Sequence, residues 1–91
     1  QVRKNVLKRS NGKCELCGTT GFKTNDDRIY LETHHVQALS EKGIDSVFNV
    51  VALCPNHHRE AHYGKNQNDI KNKLNNFLKS IYHLAKKGIK S

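Results

Sequence analysis

The sequence predicts a small α+β domain of 91 residues. Apolar residues recur at helical spacing near both ends of the chain, and two apolar runs of strand length lie between them. Only 35% of the residues are hydrophobic, and a core this small often needs a disulfide, a metal or a partner. One disulfide with a free thiol is possible, but three cysteines cannot form a closed set. Metal ligation is therefore the preferred interpretation.

The first half of the chain predicts a helix followed by a strand. Apolar spacing predicts a short basic helix over residues 2–9, and a turn and a polar loop then extend to residue 28. Residues 29–36 are rich in β-branched and aromatic side chains, which predicts a strand. Successive side chains of a strand alternate between its faces, so His34 and His35 are expected to point in opposite directions.

The second half predicts a loop, a strand and two helices. Residues 39–47 predict a loop, and residues 47–54 predict a second strand. A short helix is expected over residues 56–63, directly after Pro55. From residue 68 to about 87 the pattern predicts an amphipathic helix with lysines on its other face. The domain's own core, a second copy of the domain or the rest of a longer protein could cover its apolar stripe, and core packing is the default.

The charge balance favours a polyanionic partner. Sixteen Lys and Arg against eight Asp and Glu give a net charge of +8, which makes nucleic acid the first candidate and a solvated lysine surface the alternative. The sequence contains no apolar run of membrane-spanning length and no secretory signal, so we expect a cytoplasmic protein without a membrane partner. The chain starts at Gln1, which suggests a fragment of a longer protein.

Two ligand pairs have the spacing of zinc knuckles. Cys14 and Cys17 are separated by two residues, and so are Cys54 and His57. This spacing lets one tight turn direct both side chains at the same ion, so the four residues predict a structural zinc site. The alternative is a redox Cys-x-x-Cys motif with an unrelated free Cys54.

A second group of histidines overlaps the first. His58 and His62 are four residues apart on the predicted helix, so their imidazoles share one face and can bind one ion. His57 points about 100° away from His58 around the helix, which directs the two neighbours to different metals. Either His34 or His35 can complete the second site. A single histidine is usually idle, but five of the six lie in two short segments beside the predicted zinc ligands.

The segments Leu-Glu-Thr-His-His-Val at residues 31–36 and Asn-Val-Val-Ala-Leu-Cys-Pro-Asn-His-His-Arg-Glu-Ala-His-Tyr-Gly at residues 49–64 strongly resemble the HNH endonuclease family. The resemblance is to the McrA-like branch, which carries a structural zinc, and it covers residues 2–64, about two-thirds of the chain. It implies a ββα-metal fold, in which a two-stranded hairpin and a helix surround one catalytic divalent ion that serves to cut DNA.

The resemblance also implies roles for individual residues. His35 corresponds to the general base, and Asn49 corresponds to the central Asn that pins the loop and orients the base. Glu32 corresponds to a carboxylate that orients a ligand imidazole. Arg59 is a candidate phosphate contact, with an ordinary surface role as the alternative. The expected ligands of the catalytic ion are His34, His58 and His62. Many relatives have Cys where His57 stands, which implies a distorted or weaker zinc site.

Together these features predict a metal-dependent DNA endonuclease domain. We expect residues 1–91 to form one domain, with the zinc knuckle and ββα-metal core in residues 1–64 and the basic helix in residues 65–91. The expected setting is the cleavage module of a restriction or defence enzyme whose recognition module lies elsewhere in the chain, with a homodimer as one candidate assembly. An all-imidazole site favours Ni²⁺, Mn²⁺, Co²⁺ or Zn²⁺ over Mg²⁺.

Two alternatives to this interpretation are open. The first is a non-catalytic zinc module that binds nucleic acid or protein, in which the histidines are remnants. The second is a homing or phage packaging nuclease of the same fold, which changes the biology but not the chemistry.

Overall fold

The computed structural model describes residues 1–90, and the side chains of residues 1–87. Residue 91, the last of the predicted domain, lies outside the described residues. The elements in chain order are α1 (Val2–Ser10), β1 (Glu32–His35), a 3₁₀ helix (Leu39–Glu41), β2 (Val50–Leu53), α2 (Pro55–Tyr63) and α3 (Gln67–Lys90). The strands form a two-stranded antiparallel sheet, so the predicted α+β class is confirmed.

Both strands are shorter than the sequence pattern predicts. Ile29 forms an isolated bridge with Lys23, and the Tyr30 amide donates to the carbonyl of Phe22. The first residues of the predicted strand therefore pair with the preceding loop rather than with β2. Residues 47–49 form a turn instead of the start of the second strand. The ladder is limited to four residue pairs.

The sheet is covered on both faces. Val51 and Leu53 belong to an apolar cluster that includes Leu74 of α3, whereas Val50 packs with Val6 of α1 on the other side. Alternate residues of a strand face opposite sides of the sheet, so α1 covers one face and α3 the other. All four residues of β2 are at most 2% exposed, which explains why this strand is continuously apolar.

The apolar stripe of α3 is only partly covered. Ile70, Leu74 and Leu78 are buried in the core, whereas Tyr82 and Leu84 are exposed. At 24 residues α3 has the length of a membrane span, but neither it nor any shorter helix among the described residues combines that length with enough apolar character to cross a bilayer.

A buried ion pair ties α1 to β2 and to the cysteine turn. Two guanidinium nitrogens of Arg9 each lie 2.8 Å from a carboxylate oxygen of Glu15, and Arg9 also donates to the carbonyls of Val47 and Val50. The Glu15 carboxylate accepts a hydrogen bond of 2.9 Å from the amide of Ala52, and its side chain is 4% exposed. Removing either charge would leave the other one buried without a partner.

We predict that Glu15→Gln destabilises the domain by about 2–4 kcal/mol, because Arg9 loses its counter-ion in a mostly buried position. Glu15→Ala should cost more, since the amide of Ala52 then loses its acceptor as well. The measurement is denaturant unfolding followed by circular dichroism.

Asp26→Asn is the matched control, because it breaks the exposed Arg28–Asp26 pair and should change stability by less than about 0.5 kcal/mol. Equal effects of Glu15→Gln and Asp26→Asn would show that the Arg9–Glu15 pair does not stabilise the fold.

Candidate functional site

The first cluster consists of the four residues that the sequence predicts as zinc ligands. Their potential ligand atoms all lie within 4.8 Å of one another. Cys14 and Cys17 lie on the turn after α1, where Gly18 adopts a positive φ of 78° that side chains rarely tolerate. Cys54 immediately precedes α2, and His57 lies in the first turn of that helix. The antiparallel sheet therefore brings together two ligand pairs that are far apart in the sequence.

The geometry of this cluster suits a tetrahedral metal ion. His57 Nδ1 lies 3.4 Å from the sulfur of Cys54 and 3.9 Å from the sulfur of Cys14. A sulfur and a nitrogen bound to the same tetrahedral zinc are separated by about 3.6 Å. A hydrogen bond with Thr19 lowers the pKa of Cys17 to about 6, whereas burial raises the pKa of Cys54. Three thiols and one imidazole form a donor set that fits zinc.

The second cluster contains three imidazoles. His34 lies on β1, and His58 and His62 lie four residues apart on α2, with potential ligand atoms again within 4.8 Å of one another. The Nε2 atoms of His58 and His62 are 3.3 Å apart. Two nitrogens at zinc-like bond lengths on one tetrahedral ion are separated by about 3.4 Å. The structure therefore brings all three predicted ligands of the catalytic ion to one point.

Hydrogen bonding and burial leave ring nitrogens of this cluster available to bind a cation. His58 Nδ1 lies 2.7 Å from a Glu32 oxygen, and the hydroxyl of Tyr30 donates to the other oxygen at 2.7 Å. These hydrogen bonds lower the pKa of Glu32. A carboxylate on Nδ1 leaves Nε2 of His58 with a lone pair for a metal. Burial, followed by repulsion from neighbouring imidazoles, lowers the pKa of His34 to about 4, so this ring is neutral near neutral pH.

His35 lies beside the histidine cluster without joining it. Together with His34 and His62 it lines a cleft of about 280 Å³. Its Nε2 atom lies 2.9 Å from Oδ1 of Asp45 in the loop between the strands. Because a carboxylate accepts this hydrogen bond, Nε2 carries the proton and Nδ1 is the nitrogen that can accept another one.

Asn49 closes the loop between the two strands. Its amide nitrogen donates to the carbonyls of Gln37 and Ile44 at 3.0 and 2.8 Å, and its oxygen accepts from the Gln37 amide at 2.9 Å. These contacts fix the backbone on either side of the His35–Asp45 pair. Asn49 thus acts on the loop and forms no hydrogen bond with the His35 side chain among the described residues.

Arg59 lies on α2 next to His58, and its side chain is exposed at a second cleft that His58 and His62 also line. Asp45 and Tyr30 are the contacts that sequence reasoning missed. Tyr30 precedes Glu32 by two residues, so the strand pattern placed both on one face and could have indicated the hydrogen bond. Nothing in the spacing of Asp45 indicated that the loop would return it to His35.

Three of the matches with known proteins are consistent with one another. The family model described as HNH endonuclease matches residues 14–64, more than half of the chain. The type IV methyl-directed restriction enzyme EcoKMcrA of Escherichia coli K12 is 52% identical over 66 residues, which cover 71% of this chain and 24% of that enzyme. The structure of the type IV phosphorothioation-dependent restriction endonuclease ScoMcrA matches with a TM-score of 0.79 and 30% identity, over 90% of this chain and 16% of that one.

The chain thus spans about a quarter of the length of the curated relative. The family match contains both ligand clusters, the strand pair and α2, and the structural match extends over most of the remaining chain. The resemblance predicted from the two sequence segments is confirmed. The chain belongs to the HNH endonuclease family.

Proposed function

We propose that this domain hydrolyses phosphodiester bonds in DNA with a divalent ion held by His34, His58 and His62. The observation that carries this proposal is the convergence of the three imidazoles on one point beside a fourth imidazole, that of His35, in a family of endonucleases. A purely structural zinc module needs neither the second cluster nor a histidine beside it, so the geometry favours an enzyme over a non-catalytic zinc module.

Each residue of the proposed mechanism acts at a defined atom. His35 takes a proton from the attacking water at Nδ1, while Asp45 holds Nε2 and so fixes the ring. Asn49 keeps the loop that carries Asp45 closed against β1. Arg59, which directly follows His58 on α2, donates hydrogen bonds to the phosphate. When bound, the divalent ion supplies positive charge that stabilises the phosphate and the departing oxygen in the transition state.

The chemistry of the second cluster also bears on which ion it holds. Three imidazole nitrogens favour Ni²⁺, Mn²⁺, Co²⁺ or Zn²⁺, whereas Mg²⁺ prefers oxygen ligands. Glu32 is held by His58 and Tyr30, and its acceptor oxygens are directed at these donors rather than at the centre of the cluster. We therefore propose that Glu32 orients His58 and is not itself a metal ligand.

We further propose that Cys14, Cys17, Cys54 and His57 hold a structural zinc. The relatives are restriction enzymes, so we place this domain as the cleavage module of a restriction or defence enzyme that acts on DNA. Because the chain spans about a quarter of the curated relative, the recognition module is proposed to lie in another part of the full-length protein.

Loss of the structural zinc should unfold the domain. Cys14→Ser or Cys54→Ser should yield an insoluble chain, or one without cooperative unfolding, because so small a core depends on the metal. His57→Ala should lower the melting temperature more than His58→Ala, since only the first removes a zinc ligand. Thermal unfolding combined with metal analysis provides the test.

A folded, metal-free Cys14→Ser protein would contradict the zinc assignment. A larger loss of stability for His58→Ala than for His57→Ala would mean that the ligands of the two ions have been exchanged.

His35→Ala should separate the base from the metal ligands. It removes the proton acceptor but leaves the ion and the fold in place, so we expect both metals and normal DNA affinity with a nicking rate reduced about 10²-fold or more. His58→Ala and His62→Ala should instead lose the catalytic ion and keep the zinc. Metal content, DNA affinity and nicking rate are measured for all three variants.

A near wild-type rate for His35→Ala, or loss of the catalytic ion by this variant alone, would show that the base is misassigned. His34 would then be the next residue to test.

A further inference from the structure

Arg3 precedes the segment that the HNH family model matches, yet it lines a cleft beside the histidine cluster. It belongs to the first turn of α1, eleven positions before the match begins at residue 14. Its guanidinium donates a 3.1 Å hydrogen bond to the hydroxyl of Thr33, which lies between Glu32 and His34 on β1. Thr33 thereby holds a side chain of the N-terminal helix beside the strand that carries Glu32 and His34.

Arg3 and Arg59 line the same cleft as His58 and His62. Arg3 comes from α1, which covers one face of the sheet, and Arg59 comes from α2, whose Ala61 packs against the apolar cluster on the other face. Within the described residues β1 pairs with β2 alone, so its other edge is open. The cleft therefore follows this open edge, with one arginine from each side of the sheet.

The donors of this cleft have no anion of their own. Neither Arg3 nor Arg59 forms an ion pair in the described part of the chain. Among the described residues, the Arg3 guanidinium donates one hydrogen bond, to a neutral hydroxyl, which leaves four of its five N–H donors available. Glu32 is the one carboxylate among the lining residues, and it is already bound by His58 and Tyr30.

A planar guanidinium with free paired donors suits the two non-bridging oxygens of a phosphate. We propose that Arg3 binds a phosphate of the DNA strand next to the one that is cut, and that Thr33 orients Arg3 for this contact. The inference rests on the proposed function, in which Arg59 contacts the phosphate at the metal. Arg3 is then a DNA-binding residue that precedes the segment matched by the family model, and Thr33 is the residue that positions it.

The test is equilibrium binding of a fluorescently labelled DNA duplex across a series of salt concentrations. All variants are made in the His35→Ala chain, so that the duplex is not consumed. Loss of one phosphate contact on duplex DNA reduces the slope of log affinity against log salt by about 0.9. We expect Arg3→Ala to show this reduction and to bind about three- to tenfold more weakly at low salt.

Arg28→Ala is the charge-matched control, because Arg28 is exposed, pairs with Asp26 and does not line the cleft. It should leave the slope unchanged. Arg3→Lys should keep most of the slope but lose part of the affinity, because a lysine retains the charge without the paired donors.

Thr33→Val tests how Arg3 is held. It removes the hydroxyl but keeps the branched side chain, so it should weaken binding in the parent chain and have no further effect in the Arg3→Ala chain. If circular dichroism shows that Arg3→Ala is misfolded, weaker DNA binding by Thr33→Val in the parent chain tests the proposal instead. An unchanged slope for Arg3→Ala, an equal loss for Arg28→Ala, or additive effects of Thr33→Val and Arg3→Ala would overturn the proposal.

This design distinguishes a failure of the proposed phosphate contact from a failure of the proposed hydrolysis. A chain with an intact His35 that does not nick DNA, yet loses the salt-dependent contact with Arg3→Ala, would refute the proposed hydrolysis but retain the phosphate contact. A chain that nicks DNA normally while Arg3→Ala binds as the parent does would refute the phosphate contact alone.

Discussion

The rotation of about 100° per residue in an α-helix is the constraint on which both clusters depend. His57 and His58 are consecutive residues at the start of α2, so this rotation directs the first imidazole to the cysteines and the second to His34 and His62. The ligand set of the proposed zinc therefore also sets the rotation of α2 about its axis. A different rotation of α2 about its axis would move His58 and His62 away from β1 together.

The rest of the fold holds the two clusters in place on either side of α2. The sheet is buried between α1 and α3, and this packing sets the position of β2 and of Cys54, which directly follows it. The Arg9–Glu15 pair connects α1, the cysteine turn and the carbonyl groups of β2 in one buried network. A domain with so few apolar residues thus relies on polar and metal-ligating groups to define its geometry.

The sequence predicts the parts of this site that depend on local spacing. A gap of two residues between ligands in a turn, and of three residues between imidazoles on a helix, suffices to sort the ligand atoms into two groups. The structure brings together the same groups. The three helices follow from periodicity in the same way. The predicted start of the first strand was wrong because Ile29 and Tyr30 pair with residues of the preceding loop, and no alternation pattern distinguishes that partner from β2.

The contacts that join distant segments could not be predicted. Asp45 lies beside His35 in a loop that Asn49 closes, and Arg3 meets Thr33 across thirty residues of sequence. The buried Glu15 likewise looks like an ordinary charged residue beside Cys14 until α1 and β2 are placed next to each other. Such side chains have no characteristic spacing, because their partners are set by the packing of the sheet.

Plasmid nicking by the purified domain across a panel of divalent ions tests whether the three imidazoles hold an ion that serves phosphodiester hydrolysis. We expect no nicking when the added ion is removed under conditions that retain the zinc. We expect nicking with Ni²⁺, Mn²⁺, Co²⁺ or Zn²⁺, and much slower nicking with Mg²⁺ alone. Equal nicking with and without added ions, while metal analysis finds one ion per chain, would show that the three imidazoles hold no ion needed for hydrolysis.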